Sequence, residues 1–202
     1  MRLICTDVET GGLDPYKHSL LSVAFCIVDT DSNTISNELS ITIKEDPLIL
    51  TEGAMKVNNM TLAEIYRDGI SPLSWTQRSE GAQQLSLQSA TSPGNASQRV
   101  CEYLRANKGA SLLGHNVSFD YGFLCNRLEG VKDILPYRTV DTSSIARFLY
   151  TAGVFDKDIS NSKALFDHFG IPKEGRHTAL CDCMNTAKVY LKMMDLIKHN
   201  AN

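Results

Sequence analysis

Three strand-like segments come first in this chain, and only after them do strands alternate with helices. Arg2 to Glu9 is apolar at its start and breaks at Gly11-Gly12. Ser19 to Val28 is a long apolar run with β-branched content, and Asn37 to Lys44 alternates as a third strand should. Asp29-Thr30-Asp31-Ser32-Asn33 supplies turn chemistry of the kind that joins antiparallel neighbours. Thr51 to Asp68 reads as helix in two pieces jointed at Asn58-Asn59, and Asn95 to Ala106 as another helix. A short strand at Ser111 to Gly114 leads to a helix capped by Ser118 and ended by Gly130. Arg138 to Val140 is the last strand, and Asp141 caps the helix that reaches Tyr150. Ser162 to Phe169 and Thr178 to Lys198 complete the helices. This order predicts an α/β fold: a mixed five-stranded sheet flanked by helices.

The 202 residues suit one domain, and no composition shift marks a second. From 71 to 98 the chain is dominated by Ser, Gln, Thr, Gly and Ala, which reads as a mobile polar insert. A net charge of -3 excludes a broad basic surface for a long polyanion, so a nucleic acid must be gripped over few phosphates. The six cysteines have neither disulfide-framework nor zinc-module spacing. Cys5 and Cys26 lie in apolar runs, and Cys101, Cys125 and Cys183 lie in helices, where free cysteine acts as a small hydrophobe. Cys181 and Cys183, with His177 nearby, make a poor metal site because residues two apart on a helix face different ways. There is no charged leader, and no run approaches the ~20 apolar residues of a membrane span. The chain reads as a reduced, intracellular, cytoplasmic protein with no membrane partner.

Three clusters carry chemistry. Asp7 and Glu9 are two apart on a strand and so share a face. A solvated edge strand would explain them, but Leu3-Ile4-Cys5 looks central, and buried paired acids are costly without a compensating cation. A hard oxygen-seeking ion such as Mg²⁺ or Mn²⁺ is the natural partner. The second cluster is His115-Asn116-Val117-Ser118-Phe119-Asp120, with Asp120 in the first turn of a helix. An acid there can simply complement the helix dipole. The third cluster runs from Arg176 through His177 to Asp182. Asp182 lies off the apolar stripe Leu180, Cys183, Met184, Ala187, Leu191, so periodicity alone makes it a solvated residue.

Together the clusters resemble the three motifs of the DEDDh family of 3′–5′ exonucleases, which have a ribonuclease-H-like fold. The matching residues are Asp7 and Glu9 within Asp7-Val8-Glu9-Thr10-Gly11-Gly12-Leu13, then Asp120, then His177 and Asp182. The resemblance spans Leu3 to about Tyr190 and places all four acids and the histidine in order. It implies a hydrolase that holds two divalent cations, Mg²⁺ or Mn²⁺, on Asp7, Glu9, Asp120 and Asp182, with His177 taking a proton from the attacking water. Leu13 and Phe119 would stack against terminal bases. Thr10, Gly12, His115 and Asn116 would shape the substrate pocket. Val57 and Asn58 sit in a segment, Ala54 to Met60, that is similar to the helix end holding the terminal nucleotide in relatives, some of which carry histidine where Asn58 falls. For Asp141, helix capping is preferred to metal binding.

The expected substrate is the 3′ end of single-stranded DNA, because the first two motifs are most similar to those of proofreading enzymes. An enzyme trimming RNA ends or short oligoribonucleotides is the alternative; a non-catalytic module binding nucleic acid or a polymerase is a second. A DNA polymerase, or another replication or repair protein, is the partner the resemblance suggests.

Overall fold

The computed structural model describes residues 1–58, 60–72, 95–172 and 177–200. Its strands are β1 (Arg2–Thr10), β2 (Leu20–Asp29), β3 (Thr34–Thr42), β4 (Ser111–Gly114) and β5 (Thr139–Asp141). Its helices are α1 (Glu52–Val57), α2 (Leu62–Asp68), α3 (Ala96–Ala106), α4 (Val117–Arg127), α5 (Thr142–Thr151), α6 (Ser162–His168) and α7 (Ala179–Asn200). They form one mixed sheet in the order β3-β2-β1-β4-β5. The first three strands pair antiparallel and β1, β4 and β5 pair parallel, as the element order predicts.

β1 is central, with neighbours on both edges and packed helices on both faces. Ile4 and Val8 pack with Phe25, Val100, Leu104, Phe123 and Leu124, on the face that α3 and α4 cover. Leu3 and Cys5 point the other way, toward Cys183, Ala187 and Leu191 of α7. Burying both faces is what an apolar run at the sheet centre achieves. Asp7 and Glu9 continue the series of Leu3 and Cys5, so they emerge beside α7. A third apolar cluster, including Leu149, Phe155, Leu165, Phe166, Val189 and Met193, ties α5 and α6 to α7.

Past β1 the chain turns tightly. A side chain at Gly11 would lie 2.3 Å from the Ile49 carbonyl oxygen, and one at Gly12 would lie 2.5 Å from the His18 ring. Only glycine fits such approaches. The loop is held by Gly11 N–H donating to Ser19 O at 2.7 Å and Thr51 N–H donating to Gly11 O at 2.6 Å.

Three expectations change. β3 begins at Thr34, ahead of the expected Asn37, because Asn37 adopts a left-handed φ of 56° inside the strand and interrupts the alternation. Ser118 does not cap α4. Asn116, with φ 58° and no side-chain cap bond, takes that place, and Ser118 is already helical. Third, Cys5, Cys26 and Cys183, read from the sequence as separate small hydrophobes, converge in the core with every sulfur within 4.8 Å of the others. Asp141 caps α5 as expected, accepting from Ser143 and Ser144 N–H. Residues 73–94 of the polar insert, Asn59 and Arg176 lie outside the described residues. Among the described residues no helix is long and apolar enough to cross a membrane.

Candidate active site

The carboxylates of Asp7, Glu9 and Asp182 come together, each offering an oxygen within 4.8 Å of the others. β1 supplies the first two and the start of α7 the third. Asp182, which helical periodicity alone would leave solvated but the family resemblance makes a metal ligand, is half-buried. Asp120, in the first turn of α4, is 4% exposed and lies beside the Val8 backbone. Negative charges so placed resist ionising. Burial, then Asp120, Glu9 and Asp182, push the Asp7 carboxyl well above the usual range. Burial, then Asp182, push Glu9 up to about 7. Burial also raises Asp120 well above the ordinary value, against the backbone bonds that lower it. Apart from a cation, only protonation relieves such a set. An all-oxygen donor set suits Mg²⁺ or Mn²⁺ over thiophilic metals.

The carboxylates of Asp7 and Asp182 open into a cavity of about 600 Å³, lined also by His115, Ser162, Lys163, Phe166, His177 and Thr186. His177 is exposed and left-handed, with φ 68°, and its N–H donates to Asp182 Oδ2 at 2.9 Å. That bond ties the histidine loop to the carboxylate cluster. His115 Nδ1 lies 3.0 Å from Thr142 Oγ1. Burial lowers its pKa, partly offset by Asp141, which favours a neutral ring.

A second cavity, of about 420 Å³, has Glu9 in its wall. Val8, Glu9, Thr10, Gly12, Leu13, Thr51, Gly53, Ala54, Val57, Asn58 and Phe119 line it. Six of the expected substrate-binding residues, Thr10, Gly12, Leu13, Val57, Asn58 and Phe119, are thus gathered in one place. Asn58 Nδ2 donates to Thr10 O at 2.7 Å, and Thr10 Oγ1 donates to Gly12 O at 2.8 Å. Leu13 is 84% exposed, a large apolar side chain held at the mouth. Asn116 lines neither cavity; its N–H donates to Asp141 Oδ1 at 3.1 Å. Sequence reasoning missed Ser162, Lys163 and Phe166, which reach the first cavity from α6. It also missed Thr51 and Gly53 in the second. A larger groove of about 740 Å³ along β5 and α5 holds a single carboxylate, Asp141, already engaged as a helix cap.

The family model described as exonuclease, RNase T, matches residues 66–190, a stretch that contains Asp120, His177 and Asp182. An oligoribonuclease of Leifsonia xyli subsp. xyli is 28% identical over 188 residues, covering 93% of this chain and 79% of that protein. A PolC-type DNA polymerase III of Caldanaerobacter subterraneus subsp. tengcongensis is 23% identical over 180 residues, which is 86% of this chain but 12% of the polymerase. Among solved structures, E. coli Exonuclease I in complex with a dT13 oligonucleotide superposes with a TM-score of 0.69 at 17% identity. That match covers 98% of this chain and 41% of Exonuclease I.

Proposed function

The chain belongs to the RNase T exonuclease family and is a 3′–5′ exonuclease of the DEDDh type; from that premise we propose that it removes single nucleotides from the 3′ ends of single-stranded DNA. The observation that carries this reading is an acid cluster whose members line two unlike cavities, Asp7 and Asp182 the first and Glu9 the second, apolar one.

Asp7, at the centre of the acids, would hold a divalent cation together with Glu9 and Asp182, and Asp120 would support a second. Bound there, two divalent cations supply positive charge to the attacking and leaving oxygens of an in-line displacement. This local charge accounts for hydrolysis of a polyanion by a chain with net charge -3. His177 takes the proton of the attacking water, a task suited to imidazole near neutral pH. The water oxygen bonds to phosphorus, the bond to the preceding nucleotide's 3′ oxygen breaks, and a nucleoside 5′-monophosphate departs. Leu13, Ala54, Val57 and Phe119 take the terminal base by apolar contact and stacking, which tolerates any sequence. The Thr10 hydroxyl and the Asn58 amide each donate to a backbone oxygen, which fixes the wall of this cavity. The likeness of the first two motifs to those of proofreading enzymes favours DNA. The oligoribonuclease relatives favour the second reading, in which short RNA strands are the substrate.

The test is side-by-side digestion of end-labelled DNA and RNA single strands, first with Mg²⁺ and then with Mn²⁺. DNA should be shortened stepwise from its 3′ end, and a blocked 3′ end should stop release where a blocked 5′ end does not. Faster loss of RNA would transfer the assignment to the second reading. Cutting of a circular strand would overturn the proposed attack from a 3′ end.

A further inference from the structure

Below the catalytic acids, the same face of β1 carries a second cluster of different chemistry. Cys5 of β1, Cys26 of β2 and Cys183 of α7 are wholly buried, yet their sulfurs lie within 4.8 Å of one another. Cys26 Sγ stands 3.7 Å from Cys183 Sγ, and Cys5 Sγ stands 3.3 Å from the Cys183 carbonyl oxygen. Two sulfurs bound to one tetrahedral Zn²⁺, at about 2.3 Å each, stand about 3.8 Å apart. The Cys26–Cys183 spacing already has that value. The surroundings are apolar and partly small, with Ala24, Ala179 and Ala187 in the same cluster. Thiols are weak hydrogen-bond groups, so this region of the core contains three soft ligands that make few strong bonds of their own.

We propose that Cys5, Cys26 and Cys183 form a site for a thiophilic divalent cation of the Zn²⁺ class, separate from the oxygen-lined catalytic centre. Cys5, Cys26 and Cys183 bind the ion as thiolates, each releasing its thiol proton to solvent as the ion is taken up. The ligands come from three elements far apart in sequence, so a filled site links β1, β2 and α7. Cys5 is two residues from Asp7 along β1, and Cys183 directly follows Asp182. The link therefore braces the strand and the helix that present the catalytic acids. Sulfur here and oxygen there sort metals by softness: Zn²⁺ or Cd²⁺ below, Mg²⁺ or Mn²⁺ above. Because the sulfurs are wholly buried, the ion enters as the chain folds.

The experiment refolds the full chain from a metal-free state with Cd²⁺ as the probe and Mg²⁺ in large excess to occupy the carboxylates. The readouts are the ultraviolet thiolate-to-cadmium charge-transfer band and the thermal unfolding midpoint. The site predicts a band that saturates at a single ion per chain, together with a raised midpoint. Cys26→Ala, which lies outside the catalytic set, should lose the band and the added stability while keeping Mg²⁺-supported hydrolysis. A chain with Cys101, Cys125 and Cys181 all changed to alanine should keep the band. Absence of the band in the natural chain overturns the proposal, whether or not Cys26→Ala folds. So does loss of the band in the triple variant, which would place the ion on the other thiols.

Discussion

The acid-walled cavity and the apolar cavity rest on opposite physical terms. The first is walled by Asp7 and Asp182, which stand close to Glu9, and the carboxyls of Asp7, Glu9 and Asp120 resist ionising. The second is walled mainly by Leu13, Ala54, Val57 and Phe119, and the Thr10 hydroxyl and Asn58 amide within it donate to backbone oxygens. The acidic cavity is at odds with itself until cations arrive, whereas the apolar one is settled before substrate comes. The proposed function puts chemistry where the fold is electrostatically strained and recognition where it is satisfied. Changes on the acidic side should therefore abolish turnover while sparing or raising stability. Changes on the apolar side should weaken substrate binding and leave the reaction step nearly intact.

The largest effect should follow Asp7→Ala. Hydrolysis of a labelled single strand should fall below detection, while the metal-free variant melts at or above the natural chain because one repelling acid is gone. Near-normal hydrolysis would remove the assignment of the acids. Next comes His177→Ala, where kcat should drop by about 10²–10⁴-fold. Manganese-induced stabilisation and strand binding should survive, since the four acids remain. Recovery of full rate by added metal would instead make His177 a ligand.

The electrostatic strain itself should be visible in pH dependence. Glu9 titrates near 7 in the folded chain against an ordinary value of 4.5, so the folded state binds more protons between those limits. Metal-free protein should lose stability as pH rises through that window, by on the order of 3 kcal/mol from Glu9 alone. Melting curves at pH 5 and pH 7.5 measure this, and a Mn²⁺-saturated sample should show a much flatter dependence. Equal midpoints in metal-free samples would mean the acids are not strained. The smallest effect belongs to the apolar cavity. Phe119→Ala should raise KM by about 10-fold with kcat little changed, in keeping with ~1–3 kcal/mol per stacked base. A fall confined to kcat would erase the distinction between the two cavities.

How far the sequence revealed this depended on the range of each interaction. The pairing of Asp7 with Glu9 was legible because strand alternation is local and the flanking residues Leu3 to Cys5 are apolar. The capping role of Asp141 was legible for the same reason. Asp182 was not legible from periodicity, since it leaves the apolar stripe of α7 to point at two acids on a strand 173 to 175 residues earlier. Only its resemblance to a family motif marked it. Ser118 misled because hydroxyl residues are good caps, whereas the sharp exit from β4 demands a left-handed residue and Asn116 supplies it. Lys163 and Phe166 carried no local signal, because their place in the catalytic cavity follows from how α6 packs against α5 and α7. The convergence of Cys5, Cys26 and Cys183 was likewise invisible, their separations being 21 and 157 residues.

The central claim is that Asp7, Glu9, Asp120 and Asp182 exist as a cluster in order to hold divalent cations. Calorimetric titration of the metal-free chain with Mn²⁺, set beside the same titration of Asp7→Asn, tests it most directly. Asparagine keeps the side chain's size and removes its charge, so the fold stays comparable. The natural chain should bind about two ions with release of protons from the raised carboxyls, and Asp7→Asn should lose most of that binding. Undiminished Mn²⁺ binding by Asp7→Asn, or no binding by the natural chain, would contradict it.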